Sequence, residues 1–169
     1  PVAAPRLYGA SDNGFDAEAK KLNGIDFTFR VVSVTGTETL MMTAVLAHGK
    51  TILRNAAMEP EIPAIANFLN DSGAEIYGAG TPVIEINGTG GALLRAKSDF
   101  YVIPDRIEAG SFLILGAAVG DGLKVKNCNP EHMSAIIGKL QDAGVGLEIG
   151  DNWISVKKPA VIKSTNIQT

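Results

Sequence analysis

Apolar residues along the chain gather into two kinds of helical stretch, and the two kinds alternate. From Pro60 onward, Ile62, Ile65, Phe68 and Leu69 recur at three- and four-residue spacing with polar residues between them. That spacing predicts an amphipathic helix with one face on a core. Met133, Ile136, Ile137 and Leu140 repeat it. Pro60 and Pro130 stand at the predicted starts, and Gly73 and Gly144 lie just past the ends, where such residues punctuate helices. Residues 37–47 and 106–119 are different. Leu40, Met41, Met42, Ala44, Val45 and Leu46 leave little polar face in the first. Ile107, Phe112, Leu113, Ile114, Leu115, Ala117 and Ala118 leave less in the second. A helix that is apolar all round is expected to be buried on most sides, with its methionines filling core. Short β-type runs, predicted at 51–54, 74–77, 83–87, 123–126, 146–149 and 153–156, complete the pattern.

These elements recur in one order. Asn55 and Asn127 are 72 residues apart, Leu69 and Leu140 are 71 apart, and so are Gly73 and Gly144. The chain therefore reads as two copies of one α/β unit: helix, strand, helix, strand, strand, each led by a further strand. The apolar helices should lie inside and the amphipathic ones outside. Before the first copy, residues 6–11 and 15–20 read as two strands joined by Asp12, Asn13 and Gly14, a turn-forming cluster. Between the copies, Thr89, Gly90 and Gly91 suggest a tight loop, and residues 92–103 read as strand until Pro104 stops it. The organisation read from this is 1–22 as the closing strand pair of a preceding repeat, 23–103 as one unit and 104–169 as the next.

Hydrophobic residues make up 46% of the 169 positions and charged residues 20%, a balance suited to a globular core. The net charge of −3 and the absence of basic runs argue against a general nucleic-acid surface. The longest apolar run, residues 112–119, is too short to span a bilayer, which takes roughly 18 residues, and reads as core helix. The single cysteine, Cys128, excludes an internal disulfide and fits a reducing compartment, so the cytoplasm is expected. The chain opens on Pro1 rather than methionine, as expected of a processed, cleaved or truncated chain.

One segment offers ligand chemistry. Val31, Val32, Ser33, Val34, Thr35, Gly36, Thr37 and Glu38 join a strand to a helix N-terminus, where hydroxyls and free N–H groups face a positive helix end. The same residues also suit an ordinary cap at Thr35 or Thr37. Asp105 and Glu108 have capping-box spacing, and Asp105 and Arg106 alternatively form a charge pair at a hinge between units. Glu59 and Glu61 flank Pro60 as helix-dipole partners rather than an acid–base pair. Cys128 is expected to be inert. His48 at a helix end and His132 on a helix's polar side lack metal-ligand spacing. No Walker loop, dinucleotide fingerprint, nucleophile elbow or zinc pattern is present.

Longer stretches carry a resemblance. They are residues 33–38, the run Asn55-Ala56-Ala57-Met58-Glu59-Pro60-Glu61-Ile62, residues 66–69, the run Ile103-Pro104-Asp105-Arg106-Ile107-Glu108-Ala109-Gly110-Ser111-Phe112, residues 139–144, and residues 151–154. In this order and spacing, from about Gly14 to Thr169, the chain resembles the UDP-N-acetylglucosamine enolpyruvyl transferases (1-carboxyvinyltransferases). It resembles the sister shikimate enzymes less. The resemblance implies inside-out α/β repeats of the enolpyruvyl transferase family, with two repeat units here flanking the inter-domain hinge near Asp105 and Arg106. It implies transfer of the enolpyruvyl group of phosphoenolpyruvate to the 3-hydroxyl of UDP-N-acetylglucosamine, opening peptidoglycan synthesis. No metal or organic cofactor is implied.

The family's loop cysteine, cleft lysine and most of its arginines would precede Pro1, and its general-base aspartate would follow Thr169. No catalytic residue is therefore expected here, and the chain alone should be inactive. Cys128 does not match the loop cysteine. The resemblance carries over a nucleotide-sugar contact to Val31, Val32, Ser33 and Val34. Many members have lysine where Val31 stands, Gly-Ala where Thr35-Gly36 stand, and asparagine where Thr39 stands. The loop here is thus short of one charge. Neither a nucleic-acid nor a membrane partner is expected. Two isolated units would expose faces that neighbouring repeats cover, so the chain is expected either to self-associate or to be cleaved from a longer chain whose remainder stays bound. The rival readings are a non-enzymatic nucleotide-sugar binding or assembly module of the same fold, and a transferase acting on another hydroxylated acceptor.

Overall fold

A computed structural model describes the backbone of residues 6–11 and 14–18, and all atoms of residues 21–120, 122–157 and 161–167. The chain forms two compact units, Pro1–Tyr101 and Val102–Thr169.

In the first unit, β1 (Arg6–Ser11) and β2 (Gly14–Glu18) pair antiparallel. Asp12, Asn13 and Lys20, read as part of this hairpin, lie outside the described residues. The main body runs β3 (Asp26–Thr28), α1 (Val34–Val45), β4 (His48–Arg54), α2 (Glu61–Asp71), β5 (Glu75–Tyr77) and β6 (Val83–Thr89). Its sheet has the order β3-β4-β6-β5, with β3 parallel to β4 and the other pairs antiparallel. One core joins Met41 and Val45 of α1, Ile62 and Ala66 of α2, and Leu53, Ile76, Ile84 and Ile86 of the sheet.

The second unit repeats this plan with α3 (Arg106–Val119), β7 (Leu123–Lys126), a 3-10 turn (Pro130–Met133), α4 (Ser134–Asp142), β8 (Gly146–Ile149) and β9 (Trp153–Lys157). Its sheet order β7-β9-β8 reproduces β4-β6-β5, with the last strand in the middle of each trio and every pair in both trios antiparallel. Leu113, Ile154 and Val156 are fully buried at its centre. A Cβ at Gly116 would stand 2.7 Å from the Leu123 Cβ, so the missing side chain lets α3 lie close against β7.

Four expectations are corrected. Residues 92–103, expected as strand, form none: Gly90 and Gly91 turn the chain at φ 69° and 94°, and no strand edge receives the segment. It is held instead by the Arg95 N–H to the Ser72 carbonyl and by Phe100 against the Phe68 ring. The first helix starts at Val34, capped by Ser33 rather than by Thr35 or Thr37, because Thr37 turns into the interior. The helix expected from Pro130 is split, since Asn129 caps a 3-10 turn and α4 begins only at Ser134. His132 therefore lies in the 3-10 turn, with its Nε2 3.0 Å from Asn129 Nδ2. Finally, α3 is not buried on most sides: Ile107, Phe112, Ile114, Leu115 and Val119 are exposed.

Among the described residues, no helix is long and apolar enough to cross a membrane.

Candidate functional site: the open end of the first helix

The approach to α1 is fixed from below. The Phe29 N–H donates to the Arg54 carbonyl at 3.0 Å, continuing the ladder of β3 and β4 one step past β3. The Phe29 ring is buried and meets Phe27 edge-on, with centroids 5.0 Å apart. Just beyond β4, Asn55 takes a left-handed conformation, φ 53°, and its Nδ2 donates to the Phe29 carbonyl at 3.0 Å. Asparagine tolerates that region better than other side chains do.

The chain then bends through residues 30–32 into the helix. Ser33 is extended, φ −139° and ψ 117°, and its Oγ accepts from the Gly36 N–H at 3.1 Å. Its carbonyl accepts from the Thr37 N–H at 2.9 Å and the Thr37 Oγ1 at 2.8 Å. The buried Thr37 Oγ1 also accepts from the Ala57 N–H at 3.0 Å, tying the turn after β4 to the start of α1. Gly36 suits this closeness: a Cβ there would stand 2.9 Å from Ser33 Oγ and 3.0 Å from the Phe29 ring, so those side chains would have to shift to admit one.

The result is a rigid rim with an open end. The N–H groups of Val34 and Thr35 have no acceptor among the described residues, and the first turn of α1 holds no acidic residue. Such an end attracts anions and hydrogen-bond acceptors. Val31 and Val32 are 78% and 49% exposed beside it. The Val34 side chain packs on the core, so this residue offers only its backbone outward. Arg30, exposed and without an ion pair among the described residues, stands next to Val31. Nothing in its sequence spacing marks it as a site residue. The neighbouring Arg54 is committed: its Nε and Nη2 donate to Asp26 Oδ1 and Oδ2 at 2.8 and 3.0 Å.

The matching end of α3 is closed. Asp105 Oδ1 accepts from the Ile107 and Glu108 N–H groups at 2.8 and 3.0 Å, and Glu108 adds a second acid to the first turn. The chain's own carboxylate fills the place an anion would take. Arg106 is the first residue of α3 and is partly buried.

Cys128 is buried, and desolvation raises its thiol pKa, which disfavours the thiolate needed for nucleophilic chemistry. Among the described residues, no cluster of His, Cys, Asp or Glu could hold a metal ion.

Comparison with known proteins places this geometry among relatives. A family model described as EPSP synthase (3-phosphoshikimate 1-carboxyvinyltransferase) matches residues 9–169. The UDP-N-acetylglucosamine 1-carboxyvinyltransferase of Desulforapulum autotrophicum is 48% identical over 159 residues, covering 94% of this chain and 37% of that protein. The protein of the same name from Geotalea uraniireducens is 49% identical over 154 residues, covering 91% of this chain and 36% of its own. The chain thus spans little more than a third of the length of the curated relatives it matches. Among solved structures, the enolpyruvyl transferase NikO of Streptomyces tendae superposes with a TM-score of 0.78 at 20% identity, over 92% of this chain and 40% of that one. An EPSP synthase of Acinetobacter baumannii superposes with a TM-score of 0.63 at 18% identity, over 97% and 39%. At these identities the structural likeness establishes the fold alone.

Proposed function

Since the chain belongs to the EPSP synthase (3-phosphoshikimate 1-carboxyvinyltransferase) family, we propose that it is part of an enzyme moving the enolpyruvyl group of phosphoenolpyruvate to the 3-hydroxyl of UDP-N-acetylglucosamine. In that reaction the sugar oxygen bonds to the enolpyruvyl carbon, the bond from that carbon to the phosphate oxygen breaks, and inorganic phosphate leaves. The reaction opens peptidoglycan synthesis, and with it cell-wall growth, cell shape and division. Its soluble substrates put it in the cytoplasm. The names and identity levels of the curated relatives favour the nucleotide sugar over a shikimate acceptor.

The share of the work done by this chain is recognition. Residues 31–34 form the wall that meets the uridine end of the substrate. Val31 and Val32 pack on the base or ribose, and the Val34 and Thr35 N–H groups meet its oxygens. The observation that carries this is the contrast between the two units: α1 opens its N-terminus to solvent, while α3 fills its own with Asp105. Asp105 and Arg106 serve as the hinge at the start of the second unit. Acid–base chemistry belongs to other parts of the intact protein, because both reactants and the proton-transfer groups must be held together for the step to run. The chain alone is inactive and associates with copies of itself.

Titration with UDP-N-acetylglucosamine, followed by amide NMR, tests the recognition step. Saturable shifts confined to residues 31–36, absent with shikimate 3-phosphate, are the expected result. Equal shifts with both ligands would support the reading with another acceptor. No shifts at millimolar ligand would remove the loop from the site.

A further inference from the structure

The two sheets turn faces of different charge away from their cores, and the strand register shows where the difference arises. Side chains alternate between the two faces of a sheet. In the first unit the charged residues on the outer side of β4, β6 and β5 are Lys50, Arg54, Glu85 and Glu75, two cations with two acids, and Lys50 pairs with Glu85. In the second unit Ile154 takes the place of Ile84, and Leu147 that of Ile76. Lys124 and Lys157 then stand where the first unit has Ile52 and Asn87, and Lys126 stands where it has Arg54. Ser155 and Gly146 stand where it has the acids Glu85 and Glu75. Gly122, in place of Lys50, lies just outside β7, and Glu148, in place of Tyr77, is the one carboxylate on these strands' outer side. A balanced face has become one with three lysines and one carboxylate.

We propose that this outer face of the second sheet docks an acidic peptide segment in extended conformation, with carboxylates at alternate residues. Lys124 and Lys126 are two residues apart on one side of β7, about 7 Å, and an extended partner repeats its side chains at the same interval. The Lys124 ammonium lies 3.3 Å from the centroid of the Trp153 ring, which holds it over the face. Lys157 bonds Glu148 at 2.6 Å, and the charge of Lys124 also acts on Glu148. One carboxylate shared by two cations leaves positive charge over, and Lys126 has no ion pair among the described residues. Gly146 and Ser155 keep the surface low between the lysines, where a partner's backbone would lie. Lysines on an edge strand such as β7 also discourage strand-to-strand association. Lys157, however, is on the middle strand β9, where no edge needs protection. Lysines are almost never buried, so a face that carries three of them owes its exposure to its composition and not to the extent of the chain around it. Three cations fall short of the roughly four to eight that hold a protein on an anionic membrane. The Trp153 ring is covered by Lys124 rather than left to stack a nucleic-acid base.

The probe is a fluorescein-labelled peptide of alternating glutamate and serine, about eight residues long and so able to cross the three strands when extended. Added to the 169-residue chain, it should bind with a dissociation constant on the order of 100 µM at about 20 mM salt, weakened at least about tenfold at about 200 mM. Emission of Trp153, the one tryptophan, should change on saturation, because the carboxylates draw Lys124 from its ring. Lys126→Glu and Lys157→Glu should each weaken binding at least about fivefold. Lys139→Glu changes the net charge equally but lies on α4, and should leave binding within about twofold. Glu148→Gln should tighten it about threefold, a gain that a damaged fold does not produce. No binding at low salt, an equal loss with Lys139→Glu, or tighter binding of oligouridylate or of phosphatidylserine vesicles than of the peptide would overturn the proposal.

Discussion

Asn55 and Asn127 hold the same left-handed backbone conformation, φ 53° and 55°, each immediately after the first strand of its unit's antiparallel trio. The two positions differ in what the side chain does. Asn55 reaches the Phe29 carbonyl and so pins the approach to α1. Replacing Asn55 by alanine loses that bond and puts a less tolerant side chain in the left-handed region, a cost of about 1–2 kcal/mol. Glycine at 55 should recover the conformational part only. Asn127→Gly should be nearly silent, its conformational freedom offset by chain entropy. Hydrogen exchange of the β4 amides reads the first effect. Fluorescence of Trp153, the one tryptophan and a residue of the second unit, reads the other.

Thr37→Val keeps the shape of a fully buried side chain and removes its oxygen. The Ala57 N–H then loses its acceptor in the interior, at a cost of about 1–3 kcal/mol. The same variant loosens the turn after β4 from the helix start. Ligand-induced shifts at residues 31–36 should therefore weaken with it. Stability that falls while those shifts stay as strong would separate the turn from the site.

Arg30 stands beside the position where many family members carry lysine, and is expected to supply the missing cation. Arg30→Ala should weaken binding of the nucleotide sugar several-fold at low salt and much less at high salt, because an exposed charge acts within a Debye length of about 10 Å. Isothermal titration at two ionic strengths distinguishes this from a packing effect, which salt would leave alone.

The Asp26 carboxyl titrates below its ordinary value, first because Arg54 donates hydrogen bonds to it and then because of Arg54's charge. It therefore binds its proton more weakly folded than unfolded. Its contribution is complete above the unfolded value and disappears as pH falls through the lowered folded one. Both partners are exposed, so the effect is small and salt-sensitive. Asp26→Asn should flatten the loss of β3 and β4 amide protection across that acid window, and carboxyl-carbon NMR should find Asp26 titrating low. Glu148, paired with Lys157, should behave alike in the second unit.

Much of the fold was legible because it repeats. α3, β7 and β8 begin and end where the apolar pattern places them, since glycine, proline and a capping aspartate bound them. The central place of β6 and β9 was not legible: which strand pairs with which is a long-range choice that period and propensity do not encode. Residues 92–103 read as strand from their apolar content alone, but a strand exists only against a partner edge. Local sequence does not single out Ser33 as the cap, because Thr35 and Thr37 are equally good cap residues. Only the burial of Thr37 decides among them. Val31 and Val32 stand exposed where the motif put the loop, whereas the open amide end beside them follows from the absence of an acid in the first turn.

The cap positions Ser33 and Asp105 lie 72 residues apart, in register within the repeat. If residues 31–34 meet the nucleotide sugar as proposed, a neutral hydroxyl at one leaves that copy receptive, and a carboxylate at the other makes its twin a strut. Divergence between repeated modules needs no new loop when one side chain at a helix entrance sets whether the module receives a guest or hosts its own anion.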